Sequence, residues 1–93
     1  MVTVNLFATY RLEAGVKSFQ LDMPAGTTIA RGITIILEKY PVLKKHWIGS
    51  EGELFTHVIV IYNGYDIYTQ INGLDTRLHN GDVLGFFPPM AGG

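Results

Sequence analysis

Only one long segment of this chain carries a helical pattern of apolar residues, and strand patterns stand on both sides of it. Two threonines that can cap a helix precede the segment, and Pro41 follows it as a breaker. Gly32 and a β-branched run lower the helix propensity, so a buried strand is the competing interpretation. The length of the pattern and its flanking residues favour a helix. The predicted apolar face comprises Ile29, Ile33, Ile36, Leu37 and Tyr40.

Apolar and polar residues alternate on both sides of this helix, as they do in half-buried strands. Gly15 marks the loop between the first two strands, and Asn63-Gly64 supplies the turn chemistry of a tight hairpin between the next two. The stretch 42–56 shows neither period, and we expect an irregular connection there that Trp47 holds against the body of the protein. The predicted strands cover residues 2–8, 16–23, 57–62 and 82–87, and residues 65–71 are expected to form a shorter return strand or an extended segment.

A chain of 93 residues, 47% of them apolar, is large enough for one hydrophobic core and too small for two. Two hairpin strands, a crossover helix and returning strands predict an α+β fold, in which one main helix packs across a mixed sheet. This arrangement is the β-grasp (ubiquitin-like) fold. We expect the last strand to lie beside the first, residues 1–87 to form the domain, and residues 88–93 to form an extended C-terminal tail.

The alternation along the last strand separates its two faces. If Leu84 and Phe86 face the helix, then Val83, Gly85 and Phe87 face outward. Apolar groups with no helix over them indicate a docking surface for a partner. The predicted docking residues are Phe7, Val83, Gly85 and Phe87.

The last six residues carry the chemistry that we expect of this chain. Pro88 and Pro89 fix φ and donate no hydrogen bond, so they end strand pairing. Side-chain bulk then decreases through Met90, Ala91, Gly92 and Gly93. At up to about 3.6 Å per residue, the tail can reach roughly 20 Å into a partner and present an unhindered carboxylate. A frayed chain end is the competing interpretation of the two glycines, but the preceding prolines and aromatic strand favour a functional tail.

Charge and composition argue against several other classes of protein. Seven basic and eight acidic residues offer no electrostatic footprint for nucleic acid or an anionic membrane. The chain has no apolar run long enough to span a bilayer and no signal-peptide pattern, so we expect a cytoplasmic protein. Cysteine is absent, which excludes thiolate metal sites and a cysteine nucleophile. His46, His57 and His79 lack ligand spacing, and we expect neither a bound metal nor a bound cofactor.

Two further groups of residues have structural interpretations. Asp75 and Asp82 are predicted to cap backbone amides in turns rather than to act as an acid and base pair. Tyr62, Tyr65 and Tyr68 form an aromatic cluster without interleaved basic residues, which favours packing over the stacking of nucleic-acid bases.

Several short sequence motifs, the last of which is the terminal Phe-Phe-Pro-Pro-Met-Ala-Gly-Gly run, together match the pattern of a known protein family. They lie at residues 6–8, 24–29, 38–41, 60–64, 75–78, 80–82 and 86–93. In these stretches the chain resembles the MoaD/ThiS sulfur-carrier branch of the ubiquitin-like proteins, and it is most similar to the small subunits of molybdopterin synthase. The resemblance covers nearly the whole chain.

The resemblance implies a cycle of activation and transfer. An E1-like adenylating enzyme would use ATP to adenylate the carboxylate of Gly93, and a sulfur donor would convert the acyl-adenylate to a thiocarboxylate. This chain would carry the sulfur, whereas ATP binding and catalysis would belong to its partners, so the resemblance implies a non-catalytic subunit. The active site of the molybdopterin synthase large subunit would then receive the tail residues Pro88, Pro89, Met90, Ala91 and Gly92.

Two departures from the family pattern leave the sulfur acceptor open. Gly32 stands where relatives keep an apolar helix residue, and the connection 44–56 looks longer than usual. Related carriers supply tRNA thiolation or thiamine synthesis, or are conjugated to lysines as protein modifiers. A function of another class is a β-grasp protein-binding module that uses the sheet face around Phe87. Such a module would tolerate loss of a terminal glycine, whereas a carrier would not.

Overall fold

The computed structural model describes residues 1–89, and it confirms the β-grasp fold. Five strands form one mixed sheet in the order β2-β1-β5-β3-β4. The last strand lies beside the first, as predicted, and these two strands pair in parallel, whereas the other neighbours are antiparallel. The strands are β1 (Val2–Leu6), β2 (Ser18–Leu21), β3 (Ile59–Tyr62), β4 (Tyr65–Asp66) and β5 (Val83–Phe87).

The predicted main helix is present and begins and ends where its flanking residues require. It spans Ile29–Lys39 and is the second helix in the chain, α2. The Thr28 hydroxyl accepts a hydrogen bond from the Arg31 amide at 3.2 Å, which satisfies one free N–H group of the first turn. Pro41 follows the helix and opens a short 3-10 turn, Pro41–Leu43. The helix buries Ile29, Gly32, Ile33 and Ile36 against the sheet.

Gly32 has a packing role that its place in the sequence does not reveal. A Cβ atom at this position would lie 3.1 Å from Leu78 Cδ1 and 3.3 Å from Met23 Sδ, both tighter than ordinary contact. The absence of a side chain therefore allows α2 to approach the segments that follow β2 and precede β5. This close contact offsets the low helix propensity of glycine.

The stretch predicted as a loop after the first strand instead contains a short helix, α1 (Ala8–Ala14). Gly15 closes it in the left-handed conformation, with φ of 77°, and donates its N–H to the Arg11 carbonyl at 2.9 Å. Tyr10 is the buried residue of this helix. One buried residue in seven gives no apolar period, so the sequence pattern does not reveal the helix.

The connection 42–56 is also more regular than predicted. It contains the single-turn helix α3 (Lys44–Trp47) and an antiparallel bridge between Ile48 and Leu54. Trp47 is fully buried, which confirms that it holds this segment to the body of the protein. Its indole ring stacks on Phe86 at a centroid distance of 4.4 Å and meets Tyr10 edge-on at 5.6 Å.

Within residues 1–89, none of the helices combines the length and apolar character needed to cross a membrane.

The predicted return strand 65–71 is shorter than expected. After β4 it becomes a 3-10 turn, Ile67–Thr69, which packs against a second one, Gly73–Asp75.

Candidate functional site

The tail leaves the domain from the central strand, β5, whose last two residues are held on opposite faces of the sheet. Phe86 points inward and stacks on Trp47. Phe87 points outward and stacks on Phe7 at a centroid distance of 3.9 Å, with an angle of 6° between the rings. The Phe7 N–H also donates to the Phe86 carbonyl at 3.2 Å. The position from which Pro88 continues the chain is therefore fixed by two aromatic stacks and a hydrogen bond.

Gly85 lies beneath the outer aromatic pair. A Cβ atom there would lie 3.5 Å from Phe7 Cε2 and 3.5 Å from Phe87 Cε1, so both rings pack over the glycine backbone. Gly85 is consequently buried, although the outward direction expected from the strand alternation is correct. The two rings cover it because Phe7 approaches from the end of β1, which a pattern within β5 alone cannot show. The outer apolar surface is formed by Phe7 and Val83, which are exposed, and by Phe87, which is partly buried.

The outer face of the sheet is divided into an apolar half and a polar half. In the sheet register, Gly85 stands between Asn5 of β1 and Ile61 of β3. Phe87 likewise stands opposite Ile59 of β3. The β3 and β5 half is apolar, whereas the β1 and β2 half presents Thr3, Asn5, Ser18 and Gln20. The apolar half is the side from which the tail departs.

The first residues of β5 are anchored by a buried carboxylate, Asp82. It accepts hydrogen bonds from the Tyr62 hydroxyl at 2.7 Å, the Asn63 side-chain amide at 3.1 Å and the His79 N–H at 2.7 Å. Burial alone would raise the pKa of Asp82, but these hydrogen bonds outweigh burial and hold it below the ordinary value of 3.8. Burial, and then the bond to Asp82, raise the pKa of Tyr62 to about 12. Asp82 thus caps a backbone amide, as predicted, and also joins β3 to β5.

The three histidines lie in separate places. His46 contacts Glu13 at 3.0 Å between Nε2 and Oε1, which links α3 to α1. His57 stacks on Phe55 at 5.0 Å. His79 lies in the turn before β5, with Nδ1 3.7 Å from an oxygen of Asp82. The part of the chain that the structure describes contains no group of three His, Cys, Asp or Glu residues able to hold a metal ion.

The predicted tyrosine cluster is divided between two environments. Tyr62 is half-buried and bonded to Asp82, whereas Tyr65 and Tyr68 are exposed at the sheet edge. Of the predicted tail residues, Pro88 and Pro89 follow β5 outside the sheet. Met90, Ala91, Gly92 and Gly93 lie outside the described residues, so their predicted roles stay predictions.

Comparison with known protein families places this geometry in context. The sequence model of the ThiS family matches residues 4–93, a range that includes the strand bearing the aromatic stacks and the terminal diglycine. Two curated relatives come from Haloferax volcanii. Small archaeal modifier protein 1 is 30% identical over 96% of this chain and 97% of its own length. Small archaeal modifier protein 3 is 32% identical over 97% of this chain and 96% of its own length.

Solved structures show the same fold. The crystal structure of SAMP1 from Haloferax volcanii has a TM-score of 0.89 at 28% identity, and the match covers 99% of this chain and 98% of that one. CysO in the BexX/CysO complex from Amycolatopsis orientalis has a TM-score of 0.80 at 26% identity over the full length of both chains. A candidate molybdopterin converting factor, subunit 1, from Pyrococcus furiosus has a TM-score of 0.76 at 28% identity, over 96% of this chain and 97% of that one.

Proposed function

The chain belongs to the ThiS family of small ubiquitin-like carriers and modifiers, and from this premise we propose that it carries sulfur as a thiocarboxylate on Gly93. The proposed acceptor is the precursor of molybdopterin, with this chain as the small subunit of the synthase. The observation that supports the proposal best is the rigid departure point of the tail. Two aromatic stacks fix the end of the central strand immediately before the Pro-Pro-Met-Ala-Gly-Gly segment.

The chemistry proposed for the tail needs no catalytic group from this chain. A carboxylate is a poor electrophile, and adenylation by an E1-like enzyme gives it AMP as a good leaving group while ATP releases pyrophosphate. A donor of sulfur at the sulfide level then attacks the acyl carbon, so that a C–S bond forms, the bond between the acyl carbon and the phosphate oxygen breaks, and AMP leaves with a thiocarboxylate as the product. The chain contains no cysteine, so the carried sulfur rests on the backbone terminus rather than on a thiol.

The proposed docking surface for the activating enzyme is the outer apolar half of the sheet, formed around the exposed Phe7 and Val83 and the partly buried Phe87. Large apolar side chains beside a tail that must enter a narrow active site would orient the domain and reduce the freedom lost on binding. The same surface would serve the larger synthase subunit afterwards, because both partners must receive the same tail.

A second proposed function is conjugation to protein lysines. It is favoured by the names of the two Haloferax relatives, which are modifier proteins matched over nearly their whole length. Both functions begin with the same acyl-adenylate and differ in the nucleophile that follows, which is sulfur for the carrier and a lysine amine for the modifier.

Intact-mass analysis tests the shared first steps. The chain is incubated with ATP, its cognate adenylating enzyme and a sulfur donor, and we expect one terminal oxygen to be replaced by sulfur. The control lacks Gly93, and we expect it to stay unmodified although it folds normally. If wild-type protein kept its mass with an enzyme that releases pyrophosphate on another carrier, the proposal would be wrong.

The acceptor is then identified in two parallel reactions with the thiocarboxylated chain. Transfer to a pterin precursor in the presence of the large synthase subunit supports the molybdopterin role. Formation of an isopeptide bond between Gly93 and a lysine, detected by tryptic mass spectrometry, supports the modifier role instead.

A further inference from the structure

Three large apolar side chains project into solvent at the β4 edge of the sheet, far along the chain from the tail. Tyr65 is 64% exposed, Tyr68 is 49% exposed and Ile71 is 100% exposed. They recur at every third residue. Tyr65 begins β4, Tyr68 lies in the 3-10 turn Ile67–Thr69, and Ile71 follows that turn by two residues. We call these three residues the edge patch.

The segment that presents the edge patch is well anchored. Ile67, between the two tyrosines, is fully buried. The Asp66 carboxylate accepts the Tyr68 N–H at 2.9 Å, and the Thr69 hydroxyl donates to the Asp66 carbonyl at 2.7 Å. These two hydrogen bonds involve the backbone, Asp66 and Thr69 and do not use the three patch side chains. Exposed apolar groups held in a fixed arrangement are typical of an interaction surface.

The sequence around the edge patch is acidic as far as Arg77, whose guanidinium donates a hydrogen bond to the Gly26 carbonyl at 2.7 Å. Residues 46–76 contain four acidic residues and no lysine or arginine, whereas six of the seven basic residues lie in residues 1–45. Asp66 belongs to the patch segment, and Asp75 lies in the 3-10 turn packed against it. Neither carboxylate forms an ion pair with any group in residues 1–89. Partial burial raises the pKa of the Tyr68 phenol, and the negative charge of Asp66 raises it further.

We propose that the edge patch docks a basic surface of a partner protein, in which arginine or lysine side chains alternate with apolar ones. Cations bind the faces of tyrosine rings and pair with carboxylates, and apolar side chains cover Ile71. This docking is independent of the tail chemistry. It leaves the surface around Phe87 free, because β4 pairs with one end of β3, at Ile61 and Tyr62, whereas Phe87 stands opposite Ile59 at the other end.

The test uses the whole ¹⁵N-labelled chain and two synthetic octapeptides, one of alternating leucine and arginine and one of alternating leucine and glutamate. Titrations followed by amide shifts should show changes confined to residues 65–75 with the arginine peptide and none with the glutamate peptide. The triple variant Tyr65→Ser, Tyr68→Ser, Ile71→Ser should weaken arginine-peptide binding about tenfold.

Matched variants make the result specific. Leu12→Ser removes a side chain that is 81% exposed on α1, in the basic part of the chain, and should leave peptide binding unchanged. Deletion of Gly92 and Gly93 should also leave it unchanged, which separates this inference from the proposed function. Equal binding of the two peptides, or binding of neither, contradicts the proposal. Self-association in sedimentation runs that the triple variant abolishes also overturns it, because a second copy would then cover the patch.

Discussion

Phe86 and Phe87 are neighbours in β5, yet their side chains meet different surroundings. Phe86 is fully buried against Trp47, and Phe87 forms half of an outer stack with Phe7. Alternation along the strand was sufficient to assign these directions from the sequence. The stack itself was not predictable, because it depends on the parallel pairing of β1 with β5, which brings Phe7 to the same end of the sheet.

The first prediction concerns this pair. We expect Phe87→Ala to lower the free energy of unfolding by only about 1 kcal/mol, through loss of the stack, while raising the KM of the adenylating enzyme for the carrier about tenfold. The control Phe86→Ala should cost about 3 to 5 kcal/mol of stability. Thermal unfolding and pyrophosphate-exchange kinetics measure the two effects. Unfolding of the Phe87 variant at 25 °C would show that the ring is a core residue.

The second prediction at this scale is a pH dependence carried by Asp82. Its pKa is lowered in the folded protein, so its stabilising contribution is present above the ordinary pKa of 3.8 and is lost as the pH falls through the lower folded value. Asp82→Asn removes a charged acceptor of three hydrogen bonds and should cost about 1 to 3 kcal/mol at pH 7. Below pH 4 the variant and wild type should converge in urea unfolding. A constant difference down to pH 2 would contradict this assignment.

Among the elements, those with a long apolar period were predicted from the sequence, and the short ones were not. β1, α2 and β5 each bury one full face, so the regular spacing of their apolar residues can be recognised in the sequence. α1 buries only Tyr10, and β4 has two residues before a 3-10 turn. Their conformations are set by contacts distant in sequence, such as that between Glu13 and His46, and by positive φ at Ala8 and Gly15.

The third prediction concerns α2. Gly32→Ala should gain about 1 kcal/mol of helix propensity, but its Cβ atom must displace Leu78 and Met23. We therefore expect the net change in unfolding free energy to be smaller than about 1 kcal/mol. Ala30→Gly, at an exposed position of the same helix, measures the propensity term alone and should cost about 1 kcal/mol. A full gain from Gly32→Ala in urea unfolding would show that the close contacts are unimportant.

At the scale of the whole molecule, the buried core is assembled from residues between Val2 and Phe86. The fourth prediction follows from this distribution. Deletion of Gly92 and Gly93 should leave the unfolding midpoint unchanged when it is followed by the fluorescence of Trp47, the single tryptophan, while thiocarboxylate formation is abolished. A lowered midpoint would mean that the terminal glycines contribute to the fold.

Composition and the order of elements were sufficient to predict the domain and its single core from the sequence. The edge patch could be found only in the structure, because in the sequence its tyrosines resembled packing residues.

The position of β5 has a consequence for how the protein is made. It is made after the other four strands of the sheet, yet it joins two hairpins, β1 with β2 and β3 with β4, that have no other connection within the sheet. A nascent chain therefore holds two open strand edges until translation has passed the final strand. We expect messages truncated before β5 to yield polypeptides that proteases remove, so that a partner encounters the folded outer face of the sheet only on chains that contain β5.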